Sequence, residues 1–129
     1  MVLRTYLVED NAVIRENLID TLAELANVKT VGAAGTEGEG RNWLTKNSDK
    51  WDLAIVDLFL KEGNGLGVLA SCMDRRPQQK VVVLSNYATP EMRSRCMALK
   101  ADAVFDKSNE IDLLLDYCMH YASSGNGLH

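Results

Sequence analysis

Short apolar runs alternate with helix-like stretches five times along the chain, and this alternation is the feature that most limits its fold. After each run, apolar residues recur every three or four positions, as on one face of a helix. The third and fourth runs are almost continuously apolar, which is typical of strands covered on both faces. Strands joined through helices imply right-handed crossovers, so we predict an α/β sandwich around a five-stranded parallel sheet, with strands at residues 3–8, 28–34, 53–56, 81–84 and 103–105.

The helices are predicted from the same periodicity. The first begins after Asn11, a good N-terminal cap, and its apolar stripe is Ile14, Leu18, Leu22 and Leu25. The second is predicted only over residues 41–46, because Gly38 and Gly40 each cost about 1 kcal/mol relative to alanine inside a helix. The last carries apolar residues through Ala122, so we assign residues 1–122 to one domain and 123–129 to a flexible polar tail or the start of a linker.

Composition limits the classes of function. The chain has 129 residues, 47% of them apolar, which suffices for one core. A net charge of −4 argues against direct binding of nucleic acid or of an anionic membrane surface. The sequence lacks the roughly 20-residue apolar run that spans a bilayer, and its start lacks the pattern of a signal peptide. We expect a cytoplasmic protein without a membrane partner.

The chain has three cysteines, Cys72, Cys96 and Cys118. Their spacing is not that of a zinc site or a redox motif, so we expect them to be reduced and partly buried.

Polar side chains follow four of the five predicted strands. Glu9 and Asp10 follow the first strand, Asp57 the third, Ser85 the fourth and Lys107 the fifth. The ligand crevice of an open parallel sheet lies outside the carboxyl ends of its strands, so we expect these groups to converge there. Crowded carboxylates repel one another unless a cation compensates them, and hard oxygen ligands favour Mg²⁺. The pattern therefore predicts a magnesium site.

This arrangement resembles the receiver domain of two-component response regulators, over essentially the whole chain. Any one matching segment is weak evidence, whereas four in order, each closing its own strand, are specific. The segments are Leu7-Val8-Glu9-Asp10-Asn11, Ala54-Ile55-Val56-Asp57-Leu58, Val83-Leu84-Ser85 and Phe105-Asp106-Lys107-Ser108. The resemblance implies a flavodoxin-like, doubly wound (βα)5 fold with strand order 2-1-3-4-5.

The resemblance also implies a role for each site residue. Asp57 would accept a phosphoryl group from a histidine kinase or a histidine phosphotransfer protein. Lys107 would neutralise phosphoryl charge, and the Ser85 hydroxyl would donate to a phosphoryl oxygen. Such a protein signals, and it catalyses only its own phosphorylation and dephosphorylation. The implied Mg²⁺ ligands are Glu9, Asp10, Asp57 and the backbone carbonyl of Phe59.

Three positions depart from the usual receiver pattern. The residue three before the lysine is commonly an aromatic switch, but here it is Val104, and Phe105 is expected on the opposite face of the strand. Ser108 replaces a usual proline, which removes a cis peptide bond and offers a helix cap. Lys100 replaces a usual glycine, which costs on the order of 1 kcal/mol if the turn is left-handed.

Two aromatic residues are expected beside the acid. Phe59 and Tyr87 occupy positions that in receivers flank the path of a hydrolytic water. We hypothesise that their bulk slows self-dephosphorylation; the alternative is that the rings only cover the site.

A second apolar stripe lies on the last helix, at Leu113, Tyr117 and Tyr121. It indicates either packing at the edge of the core or a face for a partner or a homodimer. The partner would be a downstream protein or an attached output domain.

Three other functions stay open on the same fold. A phosphorylation-independent pseudo-receiver scaffold is disfavoured by the complete acidic set and Lys107. An aspartyl-phosphate phosphatase usually has a second acid where this chain has Phe59. A flavin binder would need a phosphate loop, and no convincing one is present.

Overall fold

The computed structural model describes the backbone of residues 2–125 and the side chains of residues 2–121, and in it strands and helices alternate as predicted. The strands are β1 (Leu3–Val8), β2 (Val28–Ala34), β3 (Leu53–Val56), β4 (Lys80–Ser85) and β5 (Ala103–Asp106). The helices are α1 (Ala12–Ala26), α2 (Glu37–Lys46), α3 (Gly65–Ser71), α4 (Pro90–Ala98) and α5 (Ile111–Gly125). The strands form one parallel sheet in the order β2-β1-β3-β4-β5, which confirms the predicted fold.

The sheet separates two apolar clusters, because successive residues of a strand point to opposite faces. Helices α2, α3 and α4 cover one face, and α1 and α5 cover the other. Strands β3 and β4 supply both clusters. Every residue of β3 is buried, and so is every residue of β4 except the first. On β5, Val104 joins the first cluster and Phe105 the second, as expected.

Helix α1 begins as predicted but buries a different stripe. The Asn11 side chain accepts the N–H of Ile14 at 3.0 Å, the expected cap. Leu18 and Leu22 are buried, but Leu25 is 57% exposed and Ala26 takes the inner position. Placing Leu25 on the buried stripe was therefore wrong, because a position one residue off the four-residue repeat is rotated by about 100° around the helix.

Helix α2 begins at Glu37, four residues before the predicted start at 41. The Thr36 hydroxyl accepts the N–H of Glu39 at 3.2 Å, and the Glu39 carboxylate accepts the Thr36 hydroxyl in return. A threonine cap contributes about 1 kcal/mol, and this offsets the helix-interior cost of one glycine. The cap explains why the glycines did not delay the helix.

The chain between α4 and α5 bears on two of the departures from the receiver pattern. Lys100 has a φ of 67°, so the left-handed turn that a glycine would favour is present. There is no cis peptide bond within residues 2–125. Ser108 is not a helix cap, because its hydroxyl donates to the Asn86 side chain at 3.2 Å and α5 begins only at Ile111.

The last helix continues through Gly125, beyond the predicted domain end at 122. The first part of the predicted tail is therefore helical, while residues 126–129 and the side chain of Ala122 lie outside the described part. None of the helices described in residues 2–125 is long and apolar enough to cross a membrane.

The three cysteines are free and buried, as predicted. Burial raises the pKa of Cys118 to about 12, and it raises the pKa values of Cys72 and Cys96 as well. These thiols are therefore protonated at neutral pH and act as small apolar residues.

Candidate functional site

Three carboxylates lie together at the carboxyl end of the sheet. Strands β1 and β3 are neighbours, and the backbone N–H of Asp57 donates to the carbonyl of Val8 at 2.9 Å. This pairing places Asp57 beside Glu9 and Asp10, which follow β1. One oxygen from each of the three carboxylates lies within 4.8 Å of the oxygens from the other two.

Lys107 joins this cluster from the end of β5, two strands away from β3. Its Nζ lies 2.5 Å from Glu9 Oε1 and 3.1 Å from Asp57 Oδ2. Its backbone N–H donates to the carbonyl of Ser85 at 2.9 Å, and this bond fixes the position from which the side chain extends. Only 12% of the lysine side chain is exposed, so these contacts are weakly screened by water. The long lysine side chain thus closes the site from the far strand.

Burial and charge act in opposite directions on the pKa values of this cluster. Burial raises the pKa of Glu9, although hydrogen bonds from Lys107 and from the backbone N–H of Asn11 lower it. Burial alone would lower the pKa of Lys107, but the hydrogen bond to Glu9 and the charge of Asp57 raise it above its usual value. The ammonium therefore stays charged within a cluster that holds three carboxyl groups.

Ser85 ends β4 between the acid and the lysine. Its side chain is fully buried, and its Oγ accepts the backbone N–H of Tyr87 at 3.1 Å. The oxygen is the acceptor in that contact, so the hydroxyl hydrogen is not used by it.

The loop after β3 folds back on the acid. The N–H of Phe59 points to Asp57 Oδ1 at 3.5 Å, and Phe59 pairs with Asn64 in a short antiparallel bridge. The N–H of Gly65 donates to the carbonyl of Leu58 at 2.9 Å. A Cβ at Gly65 would overlap the backbone oxygen of Asp57, so this close approach requires glycine.

Two aromatic rings connect the loops that follow β3 and β4. The ring centroids of Phe59 and Tyr87 are 4.4 Å apart with planes inclined by 55°. Both residues are about half exposed, at 49% and 56%. The pair expected beside the acid is therefore formed, with Phe59 two residues from Asp57 and Tyr87 bonded through its N–H to Ser85.

Arg15, which the sequence reasoning did not single out, also supports the site. Its guanidinium donates to the backbone carbonyl of Glu9 at 2.8 Å from the first turns of α1. Its backbone N–H donates to the carbonyl of Asn11 at 2.9 Å, within the same capped turn. The sequence indicates this role only through the position of Arg15, which lies one turn after the Asn11 cap on a helix that closely follows Glu9 and Asp10.

Residues 5–118 match the family described as Response regulator receiver domain. The chain belongs to this family. Its members are in general signalling modules of two-component systems, and the match covers all four polar strand ends.

Solved receiver structures share this fold over nearly the whole chain. The response regulator domain of Thermotoga maritima CheB has a TM-score of 0.81 at 20% identity, covering 96% of this chain and 98% of that one. The CheX-CheY-BeF3-Mg complex from Borrelia burgdorferi matches with a TM-score of 0.80 at 14% identity, covering 92% and 87%. At these identities the likeness shows the fold alone.

Curated relatives are longer than this chain. The DNA-binding transcriptional activator DevR/DosR of Mycobacterium tuberculosis is 28% identical over 88 residues, which are 68% of this chain and 40% of the relative. A protein-glutamate methylesterase/protein-glutamine glutaminase of Chromobacterium violaceum is 30% identical over 99 residues, 76% of this chain and 26% of the relative. The chain thus spans less than half the length of these two relatives.

Arg93 of α4 contacts the backbone of β5 at Val104. Val104 is buried, and its backbone carbonyl accepts the guanidinium of Arg93 at 2.8 Å. The same guanidinium donates to the carbonyl of Ala88 at 2.9 Å and to the carboxylate of Glu110 at 2.8 Å. Arg93 therefore ties the β4–α4 loop, β5 and the residue before α5 together, and local sequence patterns do not indicate this arrangement because two of the three acceptors lie 11 and 17 residues away.

Proposed function

We propose that this receiver accepts a phosphoryl group on Asp57 from a phosphohistidine of a histidine kinase or histidine phosphotransfer protein. The observation that carries the proposal is the contact of the Lys107 ammonium with both Glu9 and Asp57 inside a cluster of three carboxylates. An Asp57 oxygen attacks phosphorus and forms an acyl phosphate. The phosphorus–nitrogen bond breaks, and the leaving imidazole nitrogen keeps the electron pair and takes up a proton.

The oxygen ligands of the cluster fit Mg²⁺. Glu9, Asp10 and Asp57 offer one oxygen each within a small space, and we assign the backbone carbonyl of Phe59 as a further ligand. A bound Mg²⁺ would neutralise charge on the phosphoryl oxygens. The complex from Borrelia burgdorferi that shares this fold contains BeF3 and Mg²⁺.

The chain's own residues position and stabilise the phosphoryl group. Lys107 is held close to Asp57 and supplies a fixed positive charge to an equatorial oxygen. The Ser85 hydroxyl, already oriented by the N–H of Tyr87, donates its hydrogen to a phosphoryl oxygen. Both groups act on charge that develops during transfer, which is where phosphoryl transfer needs stabilisation.

The phosphoryl group adds about −1.5 to −2 units of charge, and we propose that this changes a surface that a downstream protein or an attached output domain recognises.

The second apolar stripe of α5 is divided between packing and exposure. The ring of Tyr117 packs against Phe105 with centroids 5.9 Å apart, as expected for packing at the core edge. Leu113 is 50% exposed and remains available for a partner or a second copy of the chain.

Phosphorylation by a small donor tests the proposal. The protein is incubated with Mg²⁺ and acetyl phosphate, and intact mass is measured. We expect the gain of one phosphoryl group, its loss in Asp57→Asn, and its retention in Asp20→Asn, which neutralises an exposed carboxylate on α1. An unmodified wild-type protein would favour the scaffold function. Tight binding of a flavin would instead favour a flavin binder, and turnover of a phosphate ester would favour a phosphatase.

A further inference from the structure

A single glutamate joins α2 to the loop that follows the phosphoacceptor. Glu37 is the first residue of α2, and its backbone N–H donates to the carbonyl of Glu62 at 3.0 Å. Its Oε1 accepts the backbone N–H of Asn64 at 3.0 Å, and its Oε2 pairs with Arg41 at 3.0 Å. Both carboxylate oxygens are thus engaged, one of them by a loop distant in the chain.

Two glycines make room for this carboxylate. A Cβ added at Gly63 would overlap the Glu37 side chain, and one added at Gly67 would overlap its Oε2. Gly63 also has a φ of 80°, in the left-handed region. The carboxylate therefore fills space that side chains on the β3–α3 loop and on α3 would otherwise occupy. The contact is a packed feature of both elements.

Asn64, whose N–H is held by the Glu37 carboxylate, lies directly opposite Phe59, whose carbonyl is the expected metal ligand. We call the contact between Glu37 and Asn64 the clamp. Asn64 pairs with Phe59 in the antiparallel bridge that closes the loop. The next residue, Gly65, donates to the carbonyl of Leu58 and packs on the backbone of Asp57. The contact with Glu37 therefore fixes residues 64–65, and these residues support residues 57–59 on the other side of the loop.

We propose that Glu37 is a positioning residue of the phosphoacceptor site, which orders the β3–α3 loop and so presets the Phe59 carbonyl for Mg²⁺. This inference rests on the proposed function. An ordered loop does not have to lose conformational entropy when the ion binds, whereas a released loop does. Groups that orient metal ligands without touching the metal commonly contribute strongly to its affinity.

The test measures Mg²⁺ binding by calorimetry without a phosphodonor, together with amide hydrogen exchange. For Glu37→Ala we expect Mg²⁺ affinity to fall about tenfold, with faster exchange at Asn64 and Gly65. Glu37→Asp keeps the charge but shortens the side chain, so it should behave like Glu37→Ala. Glu37→Gln keeps an oxygen that can accept the Asn64 N–H, so it should restore most of the affinity.

Arg41→Ala is the matched control, because it removes the ion pair and leaves the contact with Asn64. We expect it to bind Mg²⁺ as the wild-type protein does. Unchanged affinity and exchange in Glu37→Ala, or an equal loss in Arg41→Ala, would overturn the inference. If the wild-type protein itself binds no Mg²⁺, the proposed function fails. The contact between Glu37 and Asn64 is then tested by amide exchange alone, and an unchanged rate at Asn64 in Glu37→Ala overturns it.

Discussion

At the residue scale, we predict that Phe59 influences the phosphorylated state through its backbone and through its side chain. Its backbone lies within the loop that we assign to metal binding, and its ring packs at an inclined angle against Tyr87 at the exposed rim of the site. We hypothesise that a ring pair at this rim restricts the approach of water to a phosphoryl group on Asp57. The side chain would then lengthen the lifetime of the signal without taking part in its formation.

We expect Phe59→Asn to lose its phosphoryl group faster than the wild-type protein. The amide is smaller and can bind a water molecule, and a barrier lowered by about 1.4 kcal/mol corresponds to about tenfold faster decay. The decay of phosphoprotein is followed by intact mass after the donor is removed. Met97→Asn serves as a control, since Met97 is 52% exposed on α4 and should leave the rate unchanged. Equal or slower decay in Phe59→Asn would remove the hypothesis of slow self-dephosphorylation.

At the scale of elements, the site depends on how closely the start of α3 approaches the end of β3. Gly65 begins α3, and its missing side chain lets the helix backbone lie on the backbone of Asp57. Gly38 in α2 has no such neighbour, since nothing lies within 4 Å of a Cβ built there. Both glycines lie in helices, but only Gly65 is required by packing.

Alanine substitutions should separate these two glycines. Gly65→Ala forces backbone shifts, and we expect it to lower the free energy of unfolding by about 1–3 kcal/mol. Gly38→Ala should raise it by about 0.5–1 kcal/mol, because alanine loses less backbone entropy in a helix. Urea denaturation measures both. A Gly65→Ala protein as stable as Gly38→Ala would show that α3 does not need the close approach.

At the scale of the molecule, the carboxylates belong to one site only when the sheet is formed. Glu9 and Asp10 follow the first strand, Asp57 follows the third, and Lys107 follows the fifth. Their side chains meet because β1 and β3 are neighbours and the lysine reaches over β4. An ion held by this cluster therefore binds the folded chain and not the unfolded one.

Mg²⁺ should consequently stabilise the whole molecule. At a free Mg²⁺ concentration 100 times its dissociation constant, the free energy of unfolding should rise by about 2.7 kcal/mol, and a chelator should reverse the gain. Thermal unfolding with increasing Mg²⁺ measures the effect. Asp10→Asn should reduce the gain, while Asp20→Asn, on the exposed side of α1, should keep it. A wild-type unfolding temperature that does not depend on Mg²⁺ would argue against the metal site.

The local pattern of the chain determined the elements and the chemistry of the strand ends. Alternating apolar runs predicted all five strands, and the residues after them, such as Asp57 and Lys107, needed no contact information to be singled out. The errors were also local in origin. Leu25 lies off the buried stripe because a helix turns about 100° per residue, and α2 starts earlier than predicted because the Thr36 cap offsets the cost of a glycine.

Only the tertiary structure decided how those parts support one another. The contact of Glu37 with Asn64 and the contacts of Arg93 with Val104 and Glu110 join residues that are separated in sequence. The close approach at Gly65 packs backbone on backbone. Periodicity records which face of an element is apolar, but it carries no information about which distant carbonyl or N–H lies opposite a given side chain. That information exists only once the sheet order and the loop paths have set the distances.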